Sequence, residues 1–416
     1  MKVLWVTNIL LPEAATALGQ QASIGGGWMQ SSAESILAED NSLEMAVAAV
    51  SPDVTELVRI VRGRTIYYIL PLKGLMTEYH KSLEPFWRRV HDDFHPDVVH
   101  LHGTEFAHGL AYLNACSKDN VVVSIQGLTS AYYYYYYYGI SNCDILRTIT
   151  FRDIVRFDTL WQQKRKFQRR GDLEQRILRN VHHIIGRTSW DRARIWAINP
   201  DADYHFCNET LRQDFYGHKW EYNKCEPHSI FVSQAGYPIK GLHQLLKAMP
   251  LVLHFYPDAK IYVAGMDITK TESFNEIIRL SGYGLYLKRL IRKLNLAGKV
   301  NFTGPLRASE MVKRYLLSNV FICPSTIENS PNSLCEAQLL GVPHIASYVG
   351  GTADLMKGNE ECLYRFEETE MLAEKICNVF AKSSFSKNMQ TEAQVRHNAK
   401  ANAKRLIEIY IDIVSR

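Results

Sequence analysis

Short apolar runs alternate with longer amphipathic segments along the whole chain, and the alternation restarts once. In the N-terminal half the runs are Val3–Val6, Met45–Val50, Thr65–Ile69, Val98–Leu101, Val121–Ile125 and His183–Ile185. In the C-terminal half they are Ser229–Val232, Lys260–Val263, Val300–Phe302, Val320–Ile322 and His344–Ala346. Several are rich in Val and Ile without a polar residue at every second position, the pattern of strands covered on both faces. Between them, Leu242–Phe255, Glu310–Leu317 and Glu370–Lys382 carry apolar residues at helical spacing. Strand, helix, strand in series predicts parallel sheets. The stretch Asn199–Pro227 has no clean period, and the pattern restarts at Ser229. At 416 residues the chain is also longer than one hydrophobic core sustains. The expected architecture is α/β, with two Rossmann-like, doubly wound parallel-sheet domains facing a central cleft. Residues 1–205 form the first domain and 206–395 the second. A last helix over about 392–415 ends the chain, and residues 396–416 are a candidate to pack back on the first domain. Open parallel sheets bind ligands at the carboxyl ends of their strands.

Composition narrows the function without choosing it. A net charge of +5 suits phosphorylated small molecules or an anionic membrane surface and is too small to argue for nucleic acid. The eight cysteines are scattered with no C-x-x-C pair, which reads as reduced thiols and disfavours zinc. Met1–Leu11 is either a first buried strand or, with Ala14–Gly19 as cleavage site, a signal peptide; the strand is the preferred reading. No stretch approaches the run of about 20 apolar residues that spans a bilayer. The expected location is cytoplasmic, with peripheral contact on the inner face of the membrane as an option.

Two segments supply that option. Tyr132–Tyr138 is a run of seven tyrosines after a strand, either a mobile loop facing an acceptor or a membrane, or a sticky loop packed on the next helix. Ile145–Arg179 mixes Arg and Lys with Ile, Phe, Leu and Trp161, and suits either anionic lipid or a solvated helical face.

The densest chemistry lies between Ser325 and Gly351. A buried strand ends near Pro324, and Ser330-Pro331 reads as a helix start, with Ser as N-cap and Pro in the first helical position. The amides of Asn332, Ser333 and Leu334 would then lack intrahelical partners and, with the helix dipole, attract phosphate or sugar hydroxyls. Glu328 precedes this helix and Glu336 lies within it, flanking the anion site rather than forming a close pair. A carboxylate accepts from two neighbouring hydroxyls, so Glu328 can hold a hexose and Glu336 a ribose. Gly341-Val342-Pro343 ends the helix, and Gly350-Gly351 makes a turn of little bulk. A capped structural helix with two surface glutamates is the plain alternative.

Glu328 and Glu336 form an E-x7-E motif. With Ala337, Gly341-Val342-Pro343 and Gly350-Gly351, it resembles the donor site of retaining glycosyltransferases of family 4, which have the GT-B fold, and Asn329 is a further donor-binding candidate there. The resemblance implies a nucleotide-sugar donor of the UDP or GDP type, an acceptor hydroxyl on a cell-surface polysaccharide or glycolipid, and no metal or other cofactor. It further implies that Lys240, in Lys240-Gly241 after the strand Ser229–Val232, neutralises the departing diphosphate. Such enzymes usually carry an Arg five residues earlier; Ala235 stands here, with Gln234 beside it, so that charge is reduced unless Arg307 or another cation replaces it. In the first domain, Gly25-Gly26-Gly27 matches a loop near the donor phosphates. His102 ends a strand on the acceptor side, although an ordinary strand-end histidine fits equally. Gln126 stands where many relatives have a histidine beside the transferred sugar, and can only hydrogen-bond. Asp201-Ala202-Asp203 spells a metal motif of a different fold but lies in the expected linker, and His100-x-His102 lacks a third ligand. A departing phosphate oxygen that deprotonates the acceptor on the same face fits the absence of a positioned nucleophile. A nucleotide-sugar 2-epimerase, a phosphorylase-like enzyme and a catalytically silent partner subunit remain alternatives.

Overall fold

The computed structural model describes residues 1–20, 26–382 and 388–415. Gly25 of the expected glycine loop falls outside them. The chain forms two compact units. The first takes Met1–Ala131, Phe167–Gln213 and the chain from Arg396; the second takes Tyr132–Lys166 and Asp214–Val395.

The first unit holds an eight-stranded sheet of β1 (Lys2–Thr7), β2 (Glu44–Ser51), β3 (Val58–Arg62), β4 (Thr65–Pro71), β5 (Val98–His102), β6 (Val121–Ser124), β7 (His183–Gly186) and β8 (Asp203–Phe206). Their order is β3-β4-β2-β1-β5-β6-β7-β8. All neighbours are parallel except β3, which runs antiparallel to β4. Both faces are covered, and β1 explains why its sequence does not alternate. Leu4 and Val6 enter a core with Trp87 and Tyr112, while Val3 and Trp5 enter another with Tyr410 and Ile413. The final helix, Ala399–Ser415, belongs to that second core, where the Trp5 indole donates to the Tyr410 hydroxyl at 2.9 Å.

The second unit holds β9 (Glu226–Val232), β10 (Lys260–Val263), β11 (Val300–Phe302), β12 (Ser318–Cys323), β13 (His344–Ser347) and β14 (Leu363–Tyr364). Their order is β11-β10-β9-β12-β13-β14, all parallel. Ile230, Phe231, Val320, Phe321 and Ile345 are buried at its centre. Each sheet reverses its strand order once, at β1/β5 in the first unit and at β9/β12 in the second. A crevice opens at such a point outside the carboxyl ends of the strands.

Several expectations change. Residues 132–166, assigned to the first domain, pack with the second unit, and the first unit extends past residue 205 to Gln213. The tyrosine run is a helical turn and a 3-10 turn rather than a mobile loop. Tyr136 is buried with its hydroxyl donating to the Gln163 side chain at 2.6 Å, and the Tyr138 ring lies 5.5 Å from Phe366. Asp203 sits in no linker: it opens β8, an edge strand too polar to stand out in the hydrophobic pattern. The helix expected from residue 392 is two helices, Asn388–Arg396 and Ala399–Ser415, and the first stays with the second unit up to Val395.

Candidate active site at the second switch point

The loops that leave β9 and β12 are tied together before any side chain is considered. After β9 the chain reaches a 3-10 turn, Pro238–Lys240, and Gly241 takes a left-handed backbone at φ +69° to begin the helix Leu242–Phe255. A Cβ on Gly241 would lie 1.6 Å from the carbonyl oxygen of Pro324 at the end of β12. Only glycine permits both the angle and the approach. The Thr326 amide then donates to the Ile239 carbonyl at 2.8 Å.

That junction brings Lys240 onto Glu328. The Lys240 Nζ lies 2.6 Å from Glu328 Oε1, and the buried Ser325 hydroxyl donates to the same oxygen at 2.7 Å. The lysine side chain is 20% exposed and the glutamate 8%, so the pair is shielded but reachable. Burial alone would depress the lysine, but the Glu328 carboxylate and the nearby Tyr237 outweigh it and hold the ammonium charged, above the ordinary lysine range. Removing one partner of such a pair costs about 3 kcal/mol or more through the stranded charge.

Gly350-Gly351 acts on the same loop. Gly350 has φ +53°, and a Cβ there would lie 1.9 Å from the Glu328 carbonyl oxygen. The Gly351 amide donates to that oxygen at 3.0 Å. The Ser347 hydroxyl donates to the Ser325 carbonyl at 2.6 Å, so the β13 loop clamps the β12 loop from behind. The motif glycines thus allow backbone to press against backbone where Glu328 is presented.

The helix after this loop runs from Asn332 to Leu340, with Pro331 as N-cap and no side-chain cap bond. This moves the expected start by one residue: Ser330 does not cap, because the Pro331 carbonyl begins the helical bonding. That carbonyl accepts from the Leu334 amide at 3.0 Å, so Leu334 is engaged and the Asn332 and Ser333 amides lead the helix. Ser330, Asn332 and Ser333 are half-buried, and Asn329 is buried beside Glu328. Glu336 is buried in the helix's second turn. Ala235 is buried, and the exposed Arg307 pairs with Glu310 at 3.0 Å at the start of its own helix, so it does not supply the missing cation.

The first unit's switch point has a different character. Gly26 caps the helix Gly27–Glu39 at φ +83°, and a Cβ on Gly27 would meet the Arg212 side chain at 3.3 Å. His102, at the end of β5, is buried against Trp5 and stacks on His100 with ring centres 3.9 Å apart. Among the described residues neither of its ring nitrogens has a hydrogen-bond partner. Burial, His100 and Arg187 hold its pKa well below the usual histidine range, so the ring is neutral near pH 7. Gln126 donates to Glu209 at 3.2 Å, and Glu209 pairs with the buried Arg187 at 2.9 Å.

Two carboxylates nearby escaped the sequence reading. Glu105 accepts from the Gly127 amide at 2.8 Å. The fully buried Glu174 accepts from the Thr104 hydroxyl at 2.9 Å and from the Thr129 and Ser130 amides at 3.0 and 2.8 Å; burial pushes its pKa up to about 7. Glu174 comes from a helix far along the chain, where only Gly171 gives a hint: a Cβ there would lie 2.6 Å from the Ser130 Cα.

Comparison with known proteins bears on the family and the fold. Residues 214–399 match the family described as glycosyl transferases group 1. An uncharacterized glycosyltransferase of Methanocaldococcus jannaschii is 29% identical over 128 residues, 31% of this chain and 29% of that protein. The matched stretch thus spans less than a third of this relative's length. Among solved structures, sucrose-phosphate synthase from Thermosynechococcus elongatus superposes with a TM-score of 0.71 at 16% identity, covering 100% of this chain and 99% of that one. HepE from Anabaena, solved in complex with UDP, gives a TM-score of 0.63 at 13% identity, covering 99% of this chain and 100% of that one. These likenesses establish the fold. The chain has the GT-B fold, and residues 214–399, most of them in the second unit, match the glycosyl transferases group 1 domain.

Proposed function

We propose that the protein is a retaining glycosyltransferase that moves a sugar from a UDP- or GDP-sugar to a hydroxyl of a cell-surface glycan or glycolipid. The observation that carries this reading is the shielded Lys240–Glu328 pair at the β9/β12 switch point. A diphosphate entering there meets a charged ammonium and the leading amides of the Asn332 helix, both complementary to phosphate. Glu328 then accepts from hydroxyls of the transferred sugar and Glu336 from the ribose. Asn329, Ser330, Asn332 and Ser333 offer further polar groups around the phosphates, and Leu334 lines the helix start. The bond from the anomeric carbon to the phosphate oxygen breaks as negative charge grows on the diphosphate, where Lys240 stabilises it. The acceptor oxygen bonds to the same face of that carbon and gives its proton to the departing phosphate. No metal is required in this scheme, since Lys240 provides the positive charge.

Gly26 and Gly27 are assigned to the donor phosphates, and His102 and Gln126 to the acceptor side. His102 would act there as a neutral hydrogen-bonding group, given its depressed pKa. The UDP complex of HepE supports a nucleoside diphosphate ligand for this fold.

The test is donor binding and turnover with a panel of UDP- and GDP-sugars. Lys240→Ala and Glu336→Ala should each weaken binding and slow transfer, and the product should keep the donor's anomeric configuration. Wild-type affinity and turnover in both variants would overturn the site. Epimerised nucleotide sugar formed without acceptor would replace the reading with the epimerase.

A further inference from the structure

One helix of the second unit is inside out. In Phe151–Val155 the polar Asp153 is the buried residue, held by the Thr150 capping box and facing Gly282, where a Cβ would lie 2.6 Å from its carboxylate. Phe151, Ile154, Val155 and the following Phe157 point to solvent. The helix Phe274–Arg279 packs against it and buries none of its residues, leaving Phe274 and Ile277 exposed as well. These six large apolar side chains are between 53 and 76% exposed. A contiguous apolar patch of this kind marks a surface that meets something other than water.

Charge indicates what covers it. Residues 141–166 and 266–293, which build the patch and its surroundings, carry twelve Lys and Arg against six Asp and Glu, while the whole chain has an excess of only five. The positive charge of the molecule is therefore concentrated here and the rest is close to neutral. The acids are largely engaged locally: Asp153 is buried, Asp158 accepts from Arg152 and Lys166, and Glu276 caps its own helix. Exposed Arg147, Arg156, Arg279 and Arg289 are left around the apolar groups. Bulky apolar residues ringed by arginines match the boundary between acyl chains and anionic headgroups.

We infer that the second unit docks on an anionic phospholipid bilayer through the Phe151–Phe157 and Phe274–Ile277 surface. Phe151–Phe157 lies within the basic segment Ile145–Arg179 singled out by sequence, whereas the tyrosine run is anchored within the unit and Phe274–Ile277 was not foreseen. The inference does not depend on the proposed transfer reaction, since vesicle binding is read without donor or acceptor.

The full chain is sedimented with vesicles of phosphatidylcholine alone or of equimolar phosphatidylcholine and phosphatidylglycerol. Binding is expected to the mixed vesicles only and to weaken with added salt. Phe151→Asp with Phe274→Asp should cut that binding about tenfold or more, and Arg156→Glu with Arg279→Glu should remove its salt dependence. Because these residues are exposed, both double variants should keep the wild-type melting temperature. Wild-type protein that stays in the supernatant with both vesicle types overturns the inference. So does equal binding by the Phe151/Phe274 variant, or a patch whose mutation abolishes self-association while vesicles bind nothing.

Discussion

The two switch points are built from the same topology and solve opposite problems. At β9/β12 the backbone is pressed so tightly that glycine is obligatory, and the tightness presents a charged pair, Lys240 and Glu328, at a half-shielded surface. At β1/β5 the polar groups are drawn inward: His102 is kept neutral, Glu174 is buried among four donors, and Arg187 is paired with Glu209. The first arrangement suits a highly charged ligand. The second suits an uncharged, hydroxyl-bearing one, because neutral buried groups discriminate by hydrogen bonding rather than by field.

The largest test of the contrast is Gly241→Ala. Left-handed backbone and collision with the Pro324 carbonyl should together cost about 2–4 kcal/mol, enough to loosen the β9/β12 junction. Thermal denaturation should show a lowered transition for the second unit, with β1–β8 protected from hydrogen exchange as before. An unchanged melting profile would mean the junction is softer than its geometry implies.

Acid should break the first unit instead. His100 is lowered to about 3 and His108 and His397 to about 4, all chiefly by burial, and His102 lies well below its usual range. Each is neutral when folded and binds a proton when unfolded below about pH 6.5, so stability is full above that pH and falls as pH drops. The slope is about 1.4 kcal/mol per pH unit for each histidine. Glu174 and Glu105 oppose them, since burial raises both carboxyl pKa values, Glu174 to about 7, and makes stability fall as pH rises, but they are two groups against four. Hydrogen exchange at about pH 5 and pH 7 should therefore show more acid loss in β1–β8 than in β9–β14, where His243 is likewise depressed. Equal loss in the two sheets would remove this distinction.

The smallest expected effect is Ser325→Ala. Losing one hydrogen bond to Glu328, worth about 1–2 kcal/mol, should raise the donor KM up to about tenfold with little change in fold. A larger fall in kcat than in affinity would give Ser325 a part in presenting Glu328 during transfer.

Much of this was legible in advance where local pattern decides structure. Nearly every buried strand was visible as a Val/Ile run, and Leu242–Phe255 emerged with the bounds its spacing gave, despite Pro250. The strands missed, β3, β8 and β14, are edge or two-residue strands in which the hydrophobic signal is weak. At the site, Lys240, Glu328 and the glycines stood out because each lies in a compact stretch. Their direct pairing did not, since it depends on two loops 88 residues apart meeting across the strand reversal. Glu174, Arg187 and Glu209 were invisible for the same reason, and the Ser330 cap failed by one residue because Pro331 competes for the same corner.

The partition of the chain has a further consequence. Residues 132–166 complete the second unit although they are made before most of it, and the helix from Ala399 completes the first although it is made after the second unit. Neither unit is a continuous piece of the polypeptide. During synthesis the first sheet must wait, without the helix that covers Trp5 and His100, until the entire second unit has emerged. A fragment ending at Gln213 would carry a segment made for a partner it lacks and would lack the helix that covers its own core.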